Sequence, residues 1–130
     1  MAELTRRTIL IVEDEEKIMR LLADHLSLAG YDVHAEMSGQ EGLSYALEHH
    51  PHLVILDLRL PDISGYEVCR QLRQQPYAWA VPVLMVTALN QPIDKLRGYA
   101  YGADAYVTKP FELTDILQTV ALLLGKDATN

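Results

Sequence analysis

The chain is predicted to be an α/β protein, a (βα)5 doubly wound fold built on a parallel five-stranded sheet. Three observations predict it. Short apolar runs alternate with longer stretches of helical period along the 130 residues, the β-α-β-α pattern of a parallel sheet covered on both faces. Three of those runs, Ile9-Leu10-Ile11-Val12, Leu53-Val54-Ile55-Leu56 and Val83-Leu84-Met85-Val86, are apolar at every position, as strands buried on both sides must be. No internal repeat, low-complexity tract or Gly/Ser linker interrupts the alternation.

The elements follow in order. A first strand over 8–12 leads to a helix over 15–29, which carries Ile18, Leu22 and Leu26 at a spacing of four and is closed by Gly30, a residue that tolerates the left-handed conformation after a helix. The second strand, 31–36, alternates Tyr31, Val33 and Ala35 with Asp32, His34 and Glu36, so it has one wet face and belongs at a sheet edge. Ser38-Gly39-Gln40-Glu41 and Ser64-Gly65-Tyr66-Glu67 match the S-x-x-E capping box and open the second and third helices, on either side of a third strand over 53–57. A fourth strand, 81–86, precedes a helix that begins near Pro92 and runs to about Tyr101, proline suiting the first turn through its fixed φ. A short fifth strand, 105–107, is followed by a helix over 112–124 with Leu113, Ile116, Leu117, Val120 and Leu124 on one face.

Composition limits what such a fold can do. The chain is 49% hydrophobic and 22% charged, enough apolar material for one core and one domain, expected to span 1–130 with its core at about 8–124 and no output module. Eleven Lys plus Arg stand against 18 Asp plus Glu, a net charge of −7, which argues against direct nucleic-acid binding or attachment to an anionic membrane. The single Cys69 forms no internal disulfide and fits a reducing, cytoplasmic setting. The apolar stretch after Arg7 is too short for a signal-peptide core or a membrane span.

In a doubly wound sheet the site lies at the carboxyl ends of the strands. Four of the runs end there in a polar group: Glu13 and Asp14 after the first, Asp57 at the end of the third, Thr87 after the fourth and Lys109 after the fifth. Carboxylates a few Å apart repel unless a cation lies between them. A hard divalent ion with oxygen ligands, most simply Mg²⁺, resolves the conflict and leaves one aspartate able to attack phosphorus and form an aspartyl phosphate. The Thr87 hydroxyl and Lys109 ammonium would then meet the equatorial oxygens of the transferred group.

These residues, with Asp57-Leu58-Arg59-Leu60-Pro61-Asp62-Ile63-Ser64-Gly65, Thr87-Ala88 and Gly102-Ala103-Asp104-Ala105-Tyr106-Val107-Thr108-Lys109-Pro110-Phe111, give a chain that resembles the receiver domain of two-component response regulators over nearly its whole length. The resemblance implies a flavodoxin-like strand order 2-1-3-4-5. It implies that Asp57 accepts a phosphoryl group from a sensor histidine kinase or histidine phosphotransfer protein. It further implies that Glu13, Asp14, Asp57 and the backbone carbonyl of Arg59 hold Mg²⁺, with Mn²⁺ an alternative. Thr87 and Tyr106 resemble the switch pair, Lys109 the phosphate-contacting lysine, and Lys109-Pro110 a peptide bond usually cis. The implied output is a downstream effector or a fused output domain, reached through the surface of the fourth helix, fifth strand and fifth helix, which also offers a homodimer face.

Several positions stand apart from that pattern. Arg59 and Leu89, each two residues beyond a site residue, are ill suited to orient a hydrolytic water, so a comparatively long-lived aspartyl phosphate is expected. The last helix has no Lys or Arg before Lys126, which weakens a dimer held by basic residues, while Leu122, Tyr99 and Tyr101 offer apolar contacts. His49, His50 and His52 read as solvated loop residues, and Tyr77 and Trp79 as covers for the far end of the sheet. Two other functions stay open: an aspartyl-nucleophile phosphatase, against which Arg59 occupies the place of a second acid, and a docking receiver that needs no phosphorylation.

Overall fold

The computed structural model describes residues 6–78 and 80–125. The stretch before Arg6, Trp79, and the tail from Lys126 lie outside them.

Ten elements alternate without exception: β1 Thr8–Val12, α1 Glu16–Leu28, β2 Asp32–Glu36, α2 Gly39–His49, β3 Leu53–Leu56, α3 Gly65–Arg73, β4 Val83–Thr87, α4 Pro92–Ala100, β5 Ala105–Thr108 and α5 Leu113–Leu123. The strands form one sheet in the order β2-β1-β3-β4-β5, every pairing parallel. The expected (βα)5 architecture and strand order are those observed.

The period of two along each strand divides the core. Leu10, Val12, Val54, Leu56 and Met85 pack with Leu43 and Ala46 of α2 and with Val68, Cys69 and Leu72 of α3. Ile9, Ile11, Leu53, Ile55, Leu84 and Val86 pack with Leu22 and Leu26 of α1 and with Ile116 and Val120 of α5. Burial pushes the Cys69 thiol up to about 11, so it sits in the core as a small apolar residue.

Strand ends differ from expectation where backbone donors decide them. Pro82 has no N–H to give the ladder, so β4 begins at Val83 rather than Val81, and it runs on through Thr87, which pairs with Thr108. Asp57 falls just beyond β3. Tyr31 closes α1 instead of opening β2, its N–H donating to the Leu26 carbonyl.

Strand β2 takes the edge, and its expected wet face is open at Asp32 and partly covered at His34 and Glu36. His34 stacks on Tyr45 of α2 at 3.8 Å between ring centroids, and Tyr45 stacks on His49 at 4.2 Å. His49, His50 and His52 are exposed as expected, but each also has a partner and His49 belongs to α2: His50 ends α2 with φ 52 and stacks on Tyr77, while His52 Nδ1 accepts the Thr8 N–H. Tyr77 donates to the Ala46 carbonyl, at the end of the sheet opposite the candidate site.

The two capping boxes form only in part. Ser38 accepts the Glu41 N–H, but Glu41 returns to the Ser38 hydroxyl rather than to its backbone. Ser64 accepts from Tyr66, and Glu67 turns to Arg70 and Gln71. A side chain that finds a cation one turn along gains more from it than from a neutral amide. The reciprocal contact appears at α4, where Asp94 accepts the Gln91 N–H.

One guanidinium ties the far ends of three elements together. Arg73, the last residue of α3, donates to the carbonyls of Ala78, Val81 and Gly102 and to the Asp104 carboxylate, which also accepts the Val83 N–H that starts β4.

Candidate phosphoacceptor site

The carboxyl ends of β1, β3, β4 and β5 bring the expected residues together because all four strands run the same way and end at nearly the same level. Glu13 follows β1, its N–H held by the Glu36 carbonyl, and its side chain is 2% exposed. Asp57 follows β3, anchored through its N–H on the Val12 carbonyl and 4% exposed. Thr87 ends β4 and is fully buried. Lys109 follows β5, its N–H on the Thr87 carbonyl at 2.8 Å. Asp14, beside Glu13, is more open to solvent.

The ammonium of Lys109 is the hub. Its Nζ lies 2.8 Å from Glu13 Oε1, 3.0 Å from Asp57 Oδ2 and 2.6 Å from Glu15 Oε1. Burial alone would lower the Lys109 pKa, but hydrogen bonds to Glu13, Glu15 and Asp57 outweigh it and hold the amine above its ordinary value. Glu13 moves the other way. Its burial raises it to about 7 against the opposing contact with Lys109. One amine therefore serves three carboxylates, two of them buried, and the pocket is short of positive charge.

That shortage is the fit test for a metal. One carboxylate oxygen from each of Glu13, Asp14 and Asp57 can be drawn from a set lying within 4.8 Å of one another. Three hard oxygen donors with a charge deficit suit a divalent ion of the Mg²⁺ type, not a soft one. The Arg59 N–H donates to Asp57 Oδ1 at 3.2 Å, which sets the aspartate's orientation and places the Arg59 peptide beside it. The Arg59 side chain is exposed.

Thr87 and Tyr106 are joined through Leu89. The Thr87 hydroxyl accepts the Leu89 N–H at 3.4 Å, and the Leu89 carbonyl accepts the Tyr106 hydroxyl at 2.8 Å. The Lys109-Pro110 bond is cis.

Three contributors were not among the residues assigned a role from the sequence. Glu15 joins the lysine hub, and its signal was its place directly after the acidic pair. Asp62 accepts the N–H groups of Gly39 and Gln40, each at 2.8 Å, fastening the loop after β3 to the start of α2. Gly65 lies so close to Asp57 that a Cβ there would stand 2.2 Å from the Asp57 carbonyl oxygen.

Residues 9–121 match the response regulator receiver domain family. Response regulator ArlR of Staphylococcus aureus is 44% identical over 118 residues, covering 91% of this chain and 52% of the relative, so the chain spans about half the length of the curated relatives it matches. Among solved structures, chemotaxis protein CheY4 of Vibrio cholerae is 29% identical with a TM-score of 0.87, covering 92% of this chain and 99% of its own. A CheY-like response regulator receiver domain protein from Methanospirillum hungatei JF-1 is 26% identical with a TM-score of 0.88, covering 96% and 98%. Fold, strand-end chemistry and sequence agree: the chain belongs to the response regulator receiver domain family.

Proposed function

We propose that this chain is a phosphorylation-activated signalling switch that accepts a phosphoryl group on Asp57. The observation that carries the reading is the contact of Lys109 Nζ with both Glu13 and Asp57, at 2.8 and 3.0 Å, inside a pocket where carboxylates outnumber the one ammonium. Such a pocket repels its phosphoryl donor until a cation enters.

Asp57 Oδ attacks phosphorus of a phosphohistidine on a sensor histidine kinase or histidine phosphotransfer protein. The P–O bond to Asp57 forms as the P–N bond breaks, and the imidazole leaves with the bonding pair and takes up a proton. Glu13, Asp14, Asp57 and the Arg59 carbonyl would hold Mg²⁺, or Mn²⁺, which when bound neutralises charge on the phosphoryl oxygens. Lys109 and Thr87 serve other phosphoryl oxygens. The chain is a phosphoacceptor that catalyses only the gain and loss of its own phosphoryl group, in a cytoplasmic setting, within one receiver unit.

The signal then passes through α4, β5 and α5. Thr87 drawn toward the phosphoryl group changes the Leu89 peptide it holds, and Leu89 carries the Tyr106 hydroxyl. That surface exposes Ile93, Leu96, Tyr99 and Leu122, apolar groups suited to a downstream effector, an output domain or a second copy of the chain.

Incubation with Mg²⁺ and acetyl phosphate, followed by intact mass, tests the proposal. A single phosphoryl adduct, absent in Asp57→Ala and without Mg²⁺, is expected. Turnover of unrelated phosphomonoesters would replace the reading with a phosphatase, and absence of any adduct would leave a docking module.

A further inference from the structure

Three carboxylate oxygens crowd an ammonium that has three hydrogens to give. Lys109 Nζ donates to Glu15 Oε1 at 2.6 Å and to Asp57 Oδ2 at 3.0 Å, and Glu13 Oε1 lies against it at 2.8 Å. A phosphoryl oxygen reaches this ammonium only where one of the three gives way.

The three are held unequally. Asp57 is 4% exposed, and the Arg59 N–H fixes its other oxygen. Glu13 is 2% exposed, and its Oε2 accepts the Glu15 N–H at 3.1 Å. Taking the ammonium off either one strands a buried carboxylate. The Glu15 side chain, by contrast, is 59% exposed, and among the described residues its carboxylate has no partner besides Lys109. It can turn into water at little cost.

The place of Glu15 in the chain adds a second observation. It is the N-cap residue of α1, where a side-chain oxygen ordinarily accepts an N–H of the first turn, yet it makes no such hydrogen bond. The side chain crosses instead to a residue 94 positions away. Its backbone N–H stays on Glu13, so the carboxylate can swing off Lys109 while the backbone keeps hold of the buried acid.

We propose that Glu15 is a positioning residue that occupies, in the free protein, the place on Lys109 that a phosphoryl oxygen takes when Asp57 is phosphorylated, and so weakens binding of the phosphoryl group. The inference rests on the reading of Asp57 as phosphoacceptor with Lys109 against the transferred group. By linkage, whatever drives Glu15 off Lys109 favours the phosphoryl group, and the phosphoryl group drives Glu15 off to the same extent.

Glu15→Gln tests it, removing the competing charge while keeping the length of the side chain. Glu16→Gln removes the same charge one residue on, where the carboxylate pairs with Arg20 instead, and reports the general field of the acidic turn. The probe is beryllofluoride with Mg²⁺, which mimics a phosphoryl group on an aspartate. Its affinity is expected to rise roughly two- to fivefold in Glu15→Gln, with a gain that shrinks at high salt, and to stay at the wild-type value in Glu16→Gln. In metal-free protein carrying ¹⁵N-lysine, the Lys109 ammonium resonance, assigned with Lys109→Met, is expected to shift in Glu15→Gln and not in Glu16→Gln. With normal adduct formation on Asp57 in the wild type, an unchanged affinity in Glu15→Gln, an equal gain in Glu16→Gln, or an unmoved ammonium resonance overturns this inference alone. Weaker binding in Glu15→Gln overturns it as well, because Glu15 would then support Lys109 against the phosphoryl group rather than compete with it. A wild-type protein that forms no adduct on Asp57 overturns the functional reading and this inference with it.

Discussion

Asp62 holds Gly39 across 23 residues of sequence, its Oδ1 accepting the Gly39 N–H while Oδ2 accepts that of Gln40. The carboxylate of one loop thus serves as the cap of another element's helix, where unpaired N–H groups and the helix dipole favour negative charge.

Removing that cap in Asp62→Ala is expected to lower the melting temperature by roughly 3–5 °C. The Gln40 N–H first, then those of Ile63 and Gly39, hold the Asp62 carboxyl below its ordinary value. A depressed carboxyl stabilises the fold above its unfolded pKa, and this stabilisation is lost as pH falls through the lower folded one. Melts of wild type and variant should therefore converge in acid, and a gap that persists below pH 2 would contradict the assignment.

Gly65 sets a stricter condition. With the Asp57 carbonyl oxygen 2.2 Å and Leu58 Cα 2.8 Å from its would-be Cβ, both backbone atoms, Gly65→Ala is expected to cost about 3 kcal/mol and to slow phosphorylation by displacing the Asp57 peptide. Gly30→Ala, at φ +103 with open space around it, should cost only about 1 kcal/mol. Urea midpoints at constant slope measure both.

Lys109→Met strands two buried carboxylates, Glu13 and Asp57. Breaking a buried pair costs about 3 kcal/mol, read as a lower melting point in metal-free buffer. Mg²⁺ should recover more stability in the variant than it adds to wild type, since the ammonium no longer occupies the carboxylates. Equal gains in both proteins would count against a shared pocket.

The aspartyl phosphate should be long-lived. The Arg59 side chain is exposed beside Asp57, and Leu89 is half-buried against the core with its N–H on Thr87, which suits charge pairing by one and solvent exclusion by the other. Following loss of the adduct by intact mass, Arg59→Asn with Leu89→Glu should shorten its lifetime about tenfold. An unaltered lifetime would show that neither side chain governs water access.

The sheet was legible because burial on both faces forces apolar residues at 9–12 of β1, throughout β3 and at 83–86 of β4, and the candidate site because a parallel sheet leaves its polar residues at one level. Contacts between distant segments left no such trace. Nothing local tells that Asp62 serves α2, that Arg73 reaches Gly102, or that the Tyr66 hydroxyl reaches the Asp94 carbonyl. The capping boxes misled for a related reason: Glu67 has Arg70 three residues on, and the charge pair wins over the backbone. The stacking of the histidines left no trace either, because partners such as Tyr45 and Tyr77 lie on other turns or elements, outside any short window of sequence.

The Arg73 clamp has a mechanical consequence for α4. Its guanidinium grips the turn just after that helix, at Gly102, whereas the opposite end, at Pro92, follows Leu89, whose N–H is held by Thr87. A nine-residue helix is about 13 Å long. Held at its tail, it is built as a lever with the fulcrum at Gly102: a tilt of a few degrees would move the Pro92–Ile93 end farthest and leave the β5 end nearly still.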